Sequence, residues 1–257
     1  MEVIKNGDQV LIWIDEKRKF IVKVEKDKIL GTDKGFIRLG DLIGLPYGSA
    51  VKTSRGDKVF LYKPLIHDYI HGLERATQII YPKDLGFMIY LSGIGPGSRV
   101  GEAGVGTGAL TLSIAFMIGE NGVLYGFDIS EKALSTTSKN LEKAGLLHRV
   151  RLIKHDIREK FNIEPLDAFF LDIPDPWNAL VSVGNVLKES SPIIIYVPTI
   201  NQVEKTVLAL MNSGLFHDIH SYEIMLREYE VKENAVKPKT KMIGHTGYII
   251  FARKIYK

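Results

Sequence analysis

Two hydrophobic periods share the chain, and the changeover between them divides it. Up to residue 63 the apolar positions come in short runs. QVLIWID (9–15) and KFIVKVE (19–25) flank the polar turn EKRK, and glycines at 31, 35, 40, 44, 48 and 56 punctuate the remainder of that region. That pattern predicts a small all-β barrel or sandwich. Pro64 opens a different regime. LIHDYIHGLER (65–75) predicts a helix or linker, and Pro82 stands where the first turn of a helix over PKDLGFMIYLSG tolerates it.

From residue 98 strands and helices alternate. RVGEA, GVLYGFD, RVRLIKHD, DAFFLD and PIIIYVP are strand-like. TGALTLSIAFMIG, SEKALSTTSKNLEKAG, NALVSVGNVLKES and NQVEKTVLALMNSG are helix-like. Ser130 and Gly145 serve as N-cap and C-cap of the second helix. Such alternation predicts a doubly wound α/β sheet. The end departs from it: FHDIHSYEIMLREYEV (216–231) and MIGHTGYIIFARKIY (242–256) are two strand-like runs with no helix between, expected to close the sheet as an antiparallel pair. The expected fold is therefore α/β and Rossmann-like, closed by an antiparallel C-terminal strand pair and preceded by a small all-β domain. The expected boundaries are 1–65, a linker over 66–97, and 98–257.

Composition narrows the chemistry. Among 257 residues there is no cysteine, which excludes disulfides, thiolate metal sites and a cysteine nucleophile. No apolar stretch is long enough to span a membrane, and the N-terminus does not resemble a signal peptide. A cytoplasmic protein is the expectation. The histidines are scattered without H-E-x-x-H spacing, so no metal is expected. The formal charge of +4 is unevenly placed. Residues 1–65 hold 13 Lys and Arg against 9 Asp and Glu, and residues 225–257 hold 8 against 3. Two basic ends suit a polyanionic partner as well as they suit ordinary solvated lysines.

Two stretches carry candidate chemistry. In VGEAGVGTGAL (100–110), between the first strand and helix of the α/β part, Gly104, Gly106 and Gly108 permit a tight turn and close approach of a ligand to backbone. No Lys-Ser/Thr follows, so a P-loop is excluded, and the spacing is not that of a dinucleotide fingerprint. Asp128 ends the next strand, where an acid can bind ribose hydroxyls, although it could equally cap the following helix. Asp156 ends the third strand, placed for the adenine end of the same ligand. The second stretch is FFLDIPDPWNAL (169–180). Pro174 and Pro176 hold Ile173 and Asp175 extended, so Asp172 stands at a strand tip before a stiff corner. Read alone, that is a strand exit or a carboxylate aimed at substrate. Asp175 is expected to shape the turn and Trp177 to pack.

The loop and its acids resemble the class I S-adenosylmethionine-dependent methyltransferases over residues 75–257. Five further blocks, ERATQIIYPKD, DIPDPW, YVPTINQV, REYEV and GHTGY, resemble in order the tRNA (adenine-N1)-methyltransferases, which modify the T-loop adenine at position 58; whether 57 is a second target stays open. One departure is EAGVGTG where many relatives carry Thr-Gly-Ser, which backbone contacts should survive. The resemblance implies S-adenosyl-L-methionine held by Gln78, Glu102, Gly104, Gly106, Thr107, Gly108, Ala109, Leu110, Asp128, Ile129, Asp156 and Asp172. It makes Asp172 the catalytic acid and implies a tRNA substrate and a homotetramer. Tyr81, Tyr196, Gln202 and His245 are candidates for contact with the substrate base, the tyrosines equally able to be core. Adenine N1 bears a lone pair and no hydrogen, so methylation there sets no acid–base task for His245. Two other readings stay open: a methyltransferase for a protein carboxylate or another RNA, and a non-catalytic RNA-binding subunit.

Overall fold

A computed structural model describes residues 1–74 and 78–256. By contacts the chain divides into two compact units, Met1–Leu73 and Glu74–Lys257.

In the first unit, β1 (Gln9–Asp15) and β2 (Arg18–Lys23) form a hairpin. β3 (Ile29–Thr32) and β4 (Gly35–Arg38) form a second, and β5 (Ala50–Lys52) and β6 (Lys58–Tyr62) a third. One sheet runs β2-β1-β6-β5, with β3-β4 a separate ribbon. One face of the sheet makes the core: Val10, Ile12 and Ile14 of β1 and Val59 and Leu61 of β6 pack with Ile37, Leu39 and Leu42. Period-two alternation leaves the opposite face for other uses. Helix α1 (Ile66–His71) ends the unit.

The second unit begins with α2 (Pro82–Ser92), with Pro82 at its first position as expected. The alternating part follows as β7 (Arg99–Ala103), α3 (Ala109–Met117), β8 (Val123–Asp128), α4 (Glu131–Ala144), β9 (Val150–Lys154), β10 (Ala168–Leu171), α5 (Leu180–Val186), β11 (Pro192–Val197) and α6 (Ile200–Ser213). Then come β12 (Phe216–Tyr222), β13 (Tyr229–Lys232), β14 (Ala235–Pro238) and β15 (Tyr248–Lys254). The sheet order is β12-β15-β11-β10-β7-β8-β9. Its last five strands are parallel, and β15 runs antiparallel between β11 and β12. Right-handed crossovers that step one way from β7 and the other way from β10 must put their helices on opposite faces. Accordingly α2, α3 and α4 pack as one layer and α5 and α6 as another. Buried Phe127, Phe169 and Leu171 anchor the core between sheet and helices. The strand order reverses between β7 and β10, the crevice where open α/β sheets bind ligands.

Three expectations change. The run 216–231 is not one strand: it ends at Tyr222, and residues 229–232 form their own two-stranded hairpin with β14, outside the main sheet. The turn that makes the hairpin, Glu233-Asn234 with Asn234 at φ +58°, was hidden in a charged stretch. The second run begins its strand only at Tyr248, leaving GHTG as loop. The helix expected over 178–190 is shorter, because residues 176–178 form a 3₁₀ turn and Leu187 is already extended. The antiparallel closure itself is as expected.

Candidate active site

At the crevice, β7 ends in Glu102 and Ala103 and the chain turns through the glycine loop. Gly106 and Gly108 have φ of +53° and +90°, a region where a side chain is strained. The loop is braced from behind by α4. Thr137 Oγ1 donates to the Gly106 carbonyl at 3.1 Å, and buried Asn140 donates to the Thr107 carbonyl at 3.0 Å and exchanges hydrogen bonds with the Glu74 backbone. Neither side chain was a sequence candidate. Their signal was there, two polar residues three apart on the inward face of an amphipathic helix.

Gln78, Glu102, Gly104, Gly106, Thr107, Ala109, Leu110 and Asp172 line one small cleft. Gly108 stands behind it as the N-cap of α3. Asp128 closes the loop from the side: its Oδ2 accepts from Gly106 N at 3.1 Å and its Oδ1 from Ser130 N at 2.8 Å, so it serves both the loop and the entry to α4. Ser130 caps α4 as expected. Ile129 is exposed beside Asp128.

Glu102, one of the residues expected to hold the cofactor, is deeply buried. It is 1% exposed, and its Oε2 has no hydrogen-bond partner among the described residues. Burial pushes its carboxyl well above the usual range; Thr111 pulls it down, and the charges of Asp172 and Asp128 add to the rise. Asp172 follows β10, beside the loop, with its backbone carbonyl accepting from Gly104 N at 3.2 Å. It keeps partial exposure to the cleft. Desolvation by the protein packed around it, with Asp128's charge second, pushes it up to about 7. A crevice carpeted with backbone, holding two desolvated carboxyls and an unpartnered oxygen, is built for a ligand that donates hydrogen bonds or carries positive charge.

The turn after Asp172 is stiffened beyond its prolines. Arg158 bonds Asp156 through two nitrogens, at 2.8 and 2.7 Å, and reaches Asp175 at 3.1 Å, while Asn178 donates to Asp175 at 2.8 Å. Asp156 is thus engaged by Arg158 at the rim and does not line the cleft. Gln202 has a different task from the one expected. It completes a capping box with Thr199 at the start of α6, and its Nε2 donates to the Pro174 carbonyl at 2.9 Å. Its amide oxygen accepts from Thr199 and one of its two N–H groups is spent on Pro174, so the side chain positions the turn and keeps one N–H unengaged by these contacts. Trp177 packs under the Lys205 ammonium at 4.0 Å.

The GHTGY block forms a second wall. His245 Nε2 lies 2.9 Å from the Pro198 carbonyl and Nδ1 lies 2.7 Å from Glu223 Oε1. A carbonyl only accepts, so Nε2 carries a proton, and Glu223 with Pro198 raises the imidazole above its usual pKa. His245 is a doubly donating tether. Thr246 donates to fully buried Asp84 at 2.6 Å and accepts from Lys83 at 2.6 Å; Lys83 also reaches Asp84 at 2.8 Å and the Ile224 carbonyl at 2.6 Å. Gly247 lies flat on the Tyr196 ring, where an added Cβ would come within 2.4 Å. Three consecutive residues therefore fix the segment after β11, the start of α2 and the ring of Tyr196. Tyr81, the N-cap of α2, is half-buried; Tyr196 is buried, its phenol held protonated by burial and then by Asp84's charge.

The sheet order, glycine loop, strand-end acids and crevice at the switch point define a class I methyltransferase. Residues 59–237 match the family model described as tRNA methyltransferase complex GCD14 subunit. The chain belongs to that family. It is 34% identical to the tRNA (adenine(57)-N(1)/adenine(58)-N(1))-methyltransferase TrmI of Methanocaldococcus jannaschii, over 94% of each chain. Its fold is similar to the crystal structure of tRNA (m1A58) methyltransferase TrmI from Aquifex aeolicus, at 31% identity, TM-score 0.81 and full coverage of both chains. It is also similar to a Thermotoga maritima structure described as an S-adenosylmethionine-dependent O-methyltransferase, at 34% identity and TM-score 0.89, covering 99% and 96%.

Proposed function

We propose that this protein transfers a methyl group from S-adenosylmethionine to N1 of a T-loop adenine of tRNA, position 58. The observation that carries the reading is the desolvated carboxyl of Asp172 between the glycine loop and the wall that holds Tyr196. The cleft fits the cofactor on its own evidence: backbone crowded against it, and a buried Glu102 oxygen with no partner. Glu102 and the loop residues Gly104 to Leu110 would hold it, with Gln78 at the edge and Asp128 and Ile129 toward the ribose; Asp156, tied to Arg158, would stand at the rim on the adenine side without lining the cleft. When bound, S-adenosylmethionine supplies a sulfonium-activated methyl whose transfer to N1 moves the positive charge from sulfur to the adenine ring.

The chain's own part is positioning and charge. N1 needs no deprotonation, so orientation is the larger task. Asp172, ionised, accepts the N6–H next to N1 and stabilises the cation that develops on the ring. Half-buried Tyr81 offers an aromatic face to an adenine taken out of its stack, and buried Tyr196 backs the wall behind it. His245, with both nitrogens tied, holds the wall and moves no proton.

The basic N-terminal unit assists in holding tRNA, and an enzyme acting on tRNA works where tRNA is, in the cytoplasm. A homotetramer, as the family resemblance implies, is supported by the β13–β14 hairpin, which exposes Tyr229, Val231 and Val236 alongside Met225 and Leu226. A two-stranded hairpin with such surface needs a partner to be stable.

The test is methyl incorporation from S-adenosylmethionine into an unmodified tRNA transcript, followed by nucleoside mass spectrometry. The expected product is 1-methyladenosine in the T-loop. A 2′-O-methylated nucleoside would move the assignment to the O-methyl chemistry named for the Thermotoga protein, and absence of any product would sink it.

A further inference from the structure

The core of the N-terminal unit is complete on one face of its sheet, and the other face has a composition that ordinary solvent exposure does not explain. Cross-strand register puts Lys19, Trp13, Phe60 and Ala50 in one rung across all four strands. Ile21, Leu11 and Tyr62 form the next rung on one side, and Lys58 and Lys52 the next on the other. The three aromatic rings run as a ladder. Trp13 and Phe60 centroids are 5.9 Å apart, and Phe60 and Tyr62 are stacked 6.1 Å apart, 10° from parallel. Lys58 Nζ stands 4.9 Å over the Phe60 ring. Lys52 and Lys58 have no carboxylate partner among the described residues, and Lys19 has only a long contact of 3.5 Å to exposed Glu16. Beyond Tyr62 the face opens into a groove with Lys63 and His67 on its walls.

We propose that this face docks an unpaired stretch of the RNA substrate outside the methylated adenine, its bases on Trp13, Phe60 and Tyr62 and its phosphates on Lys19, Lys52 and Lys58. The proposal rests on tRNA being the substrate and adds where and how it is gripped. Aromatic platforms interleaved with cations are the chemistry by which single-stranded nucleic acid is held without sequence readout. A second copy of the chain fits the face poorly, because the centre of a protein–protein interface is depleted in lysine. A merely solvated face has no need of three adjoining rings.

The experiment uses the full chain and two variants: Phe60→Leu with Tyr62→Leu, which keeps apolar cover but removes ring faces, and Lys19→Gln with Lys52→Gln and Lys58→Gln. Affinity for a tRNA transcript is read by filter binding across a salt series, cofactor affinity by calorimetry, and mass in solution by light scattering. The aromatic pair is expected to weaken tRNA binding about tenfold or more. The lysine triple should lower the slope of log K against log salt by about 2, at about 0.7 per lost single-strand phosphate contact. Cofactor affinity and solution mass should not change. Unaltered tRNA affinity and salt slope would overturn the proposal, and so would a variant that changes the oligomeric mass, which would make the face a contact between copies. Binding is read without turnover. A wild type that binds tRNA but makes no 1-methyladenosine therefore counts against the proposed reaction alone.

Discussion

The two walls of the active site are built on opposite plans. On the glycine-loop side, polar groups are left short of partners: Glu102 has a buried oxygen with none, and Asp172 is desolvated beside Asp128. On the GHTGY side every polar group is answered, with His245, Thr246, Lys83 and Asp84 closed into contacts of 2.6–2.9 Å. A buried polar group without a partner costs free energy, and a protein keeps one where a ligand will supply the partner. Satisfied groups do the reverse and fix geometry. Under the proposed function the first wall binds and reacts, and the second is scaffold. That difference is what supports placing His245 in the scaffold and Asp172 in the proposed chemistry.

The largest effects should come from disturbing each wall in its own way. Asp172→Ala removes the group proposed to stabilise developing charge, and single-turnover methylation should slow by about 10²–10³-fold. Calorimetry should show cofactor affinity nearly kept; loss of cofactor binding and fold together would remove Asp172 from the chemistry. Gly247→Ala leaves every charged group in place but drives a methyl into the Tyr196 ring. A displacement of about 1 Å is enough to cost about 10²-fold, so kcat/KM for tRNA should fall that far with cofactor affinity unchanged. A wild-type rate in Gly247→Ala would show that the Tyr196 ring is not held by this packing.

The glycine-loop wall was legible in the sequence and the contacts of the GHTGY wall were not, for a physical reason. A glycine loop and a proline-locked acid are local: the backbone conformations they need are written in adjacent residues, and the strand pattern places them at one sheet edge. The Lys83–Thr246 bond joins residues 163 positions apart, and Gln202 reaches back to Pro174. Nothing in the neighbourhood of Lys83 or Gln202 announces such a partner. Gln202 was a candidate for contact with the base, yet its capping-box geometry turns the side chain back to the helix start. The β13–β14 hairpin was missed differently. Its strands were readable, but a Glu-Asn turn between lysines reads as one more charged stretch unless Asn is credited with its ease at positive φ.

The smallest effects give the sharpest contrast, because they should differ in sign. Thr246→Val keeps the volume but withdraws the hydroxyl that bonds Asp84, leaving a fully buried carboxylate with one donor fewer; unfolding should cost about 1–3 kcal/mol less. Asp172→Asn should do the opposite in the ligand-free protein. The folded-state pKa of Asp172, about 7, lies above its ordinary 3.8. Between those values the folded protein binds a proton that the unfolded chain has released, so stability falls as pH rises through this window and the full penalty is in place above 7. Asparagine cannot ionise. Melting followed at pH 8 should therefore show Asp172→Asn more stable than wild type and Thr246→Val less stable. Near pH 4, where Asp172 is neutral in the folded protein, the gain from asparagine should vanish while the Thr246→Val deficit persists. An Asp172→Asn gain that is the same at both pH values would mean that its desolvation is not what strains the empty site, and the distinction between the two walls would lose its energetic basis.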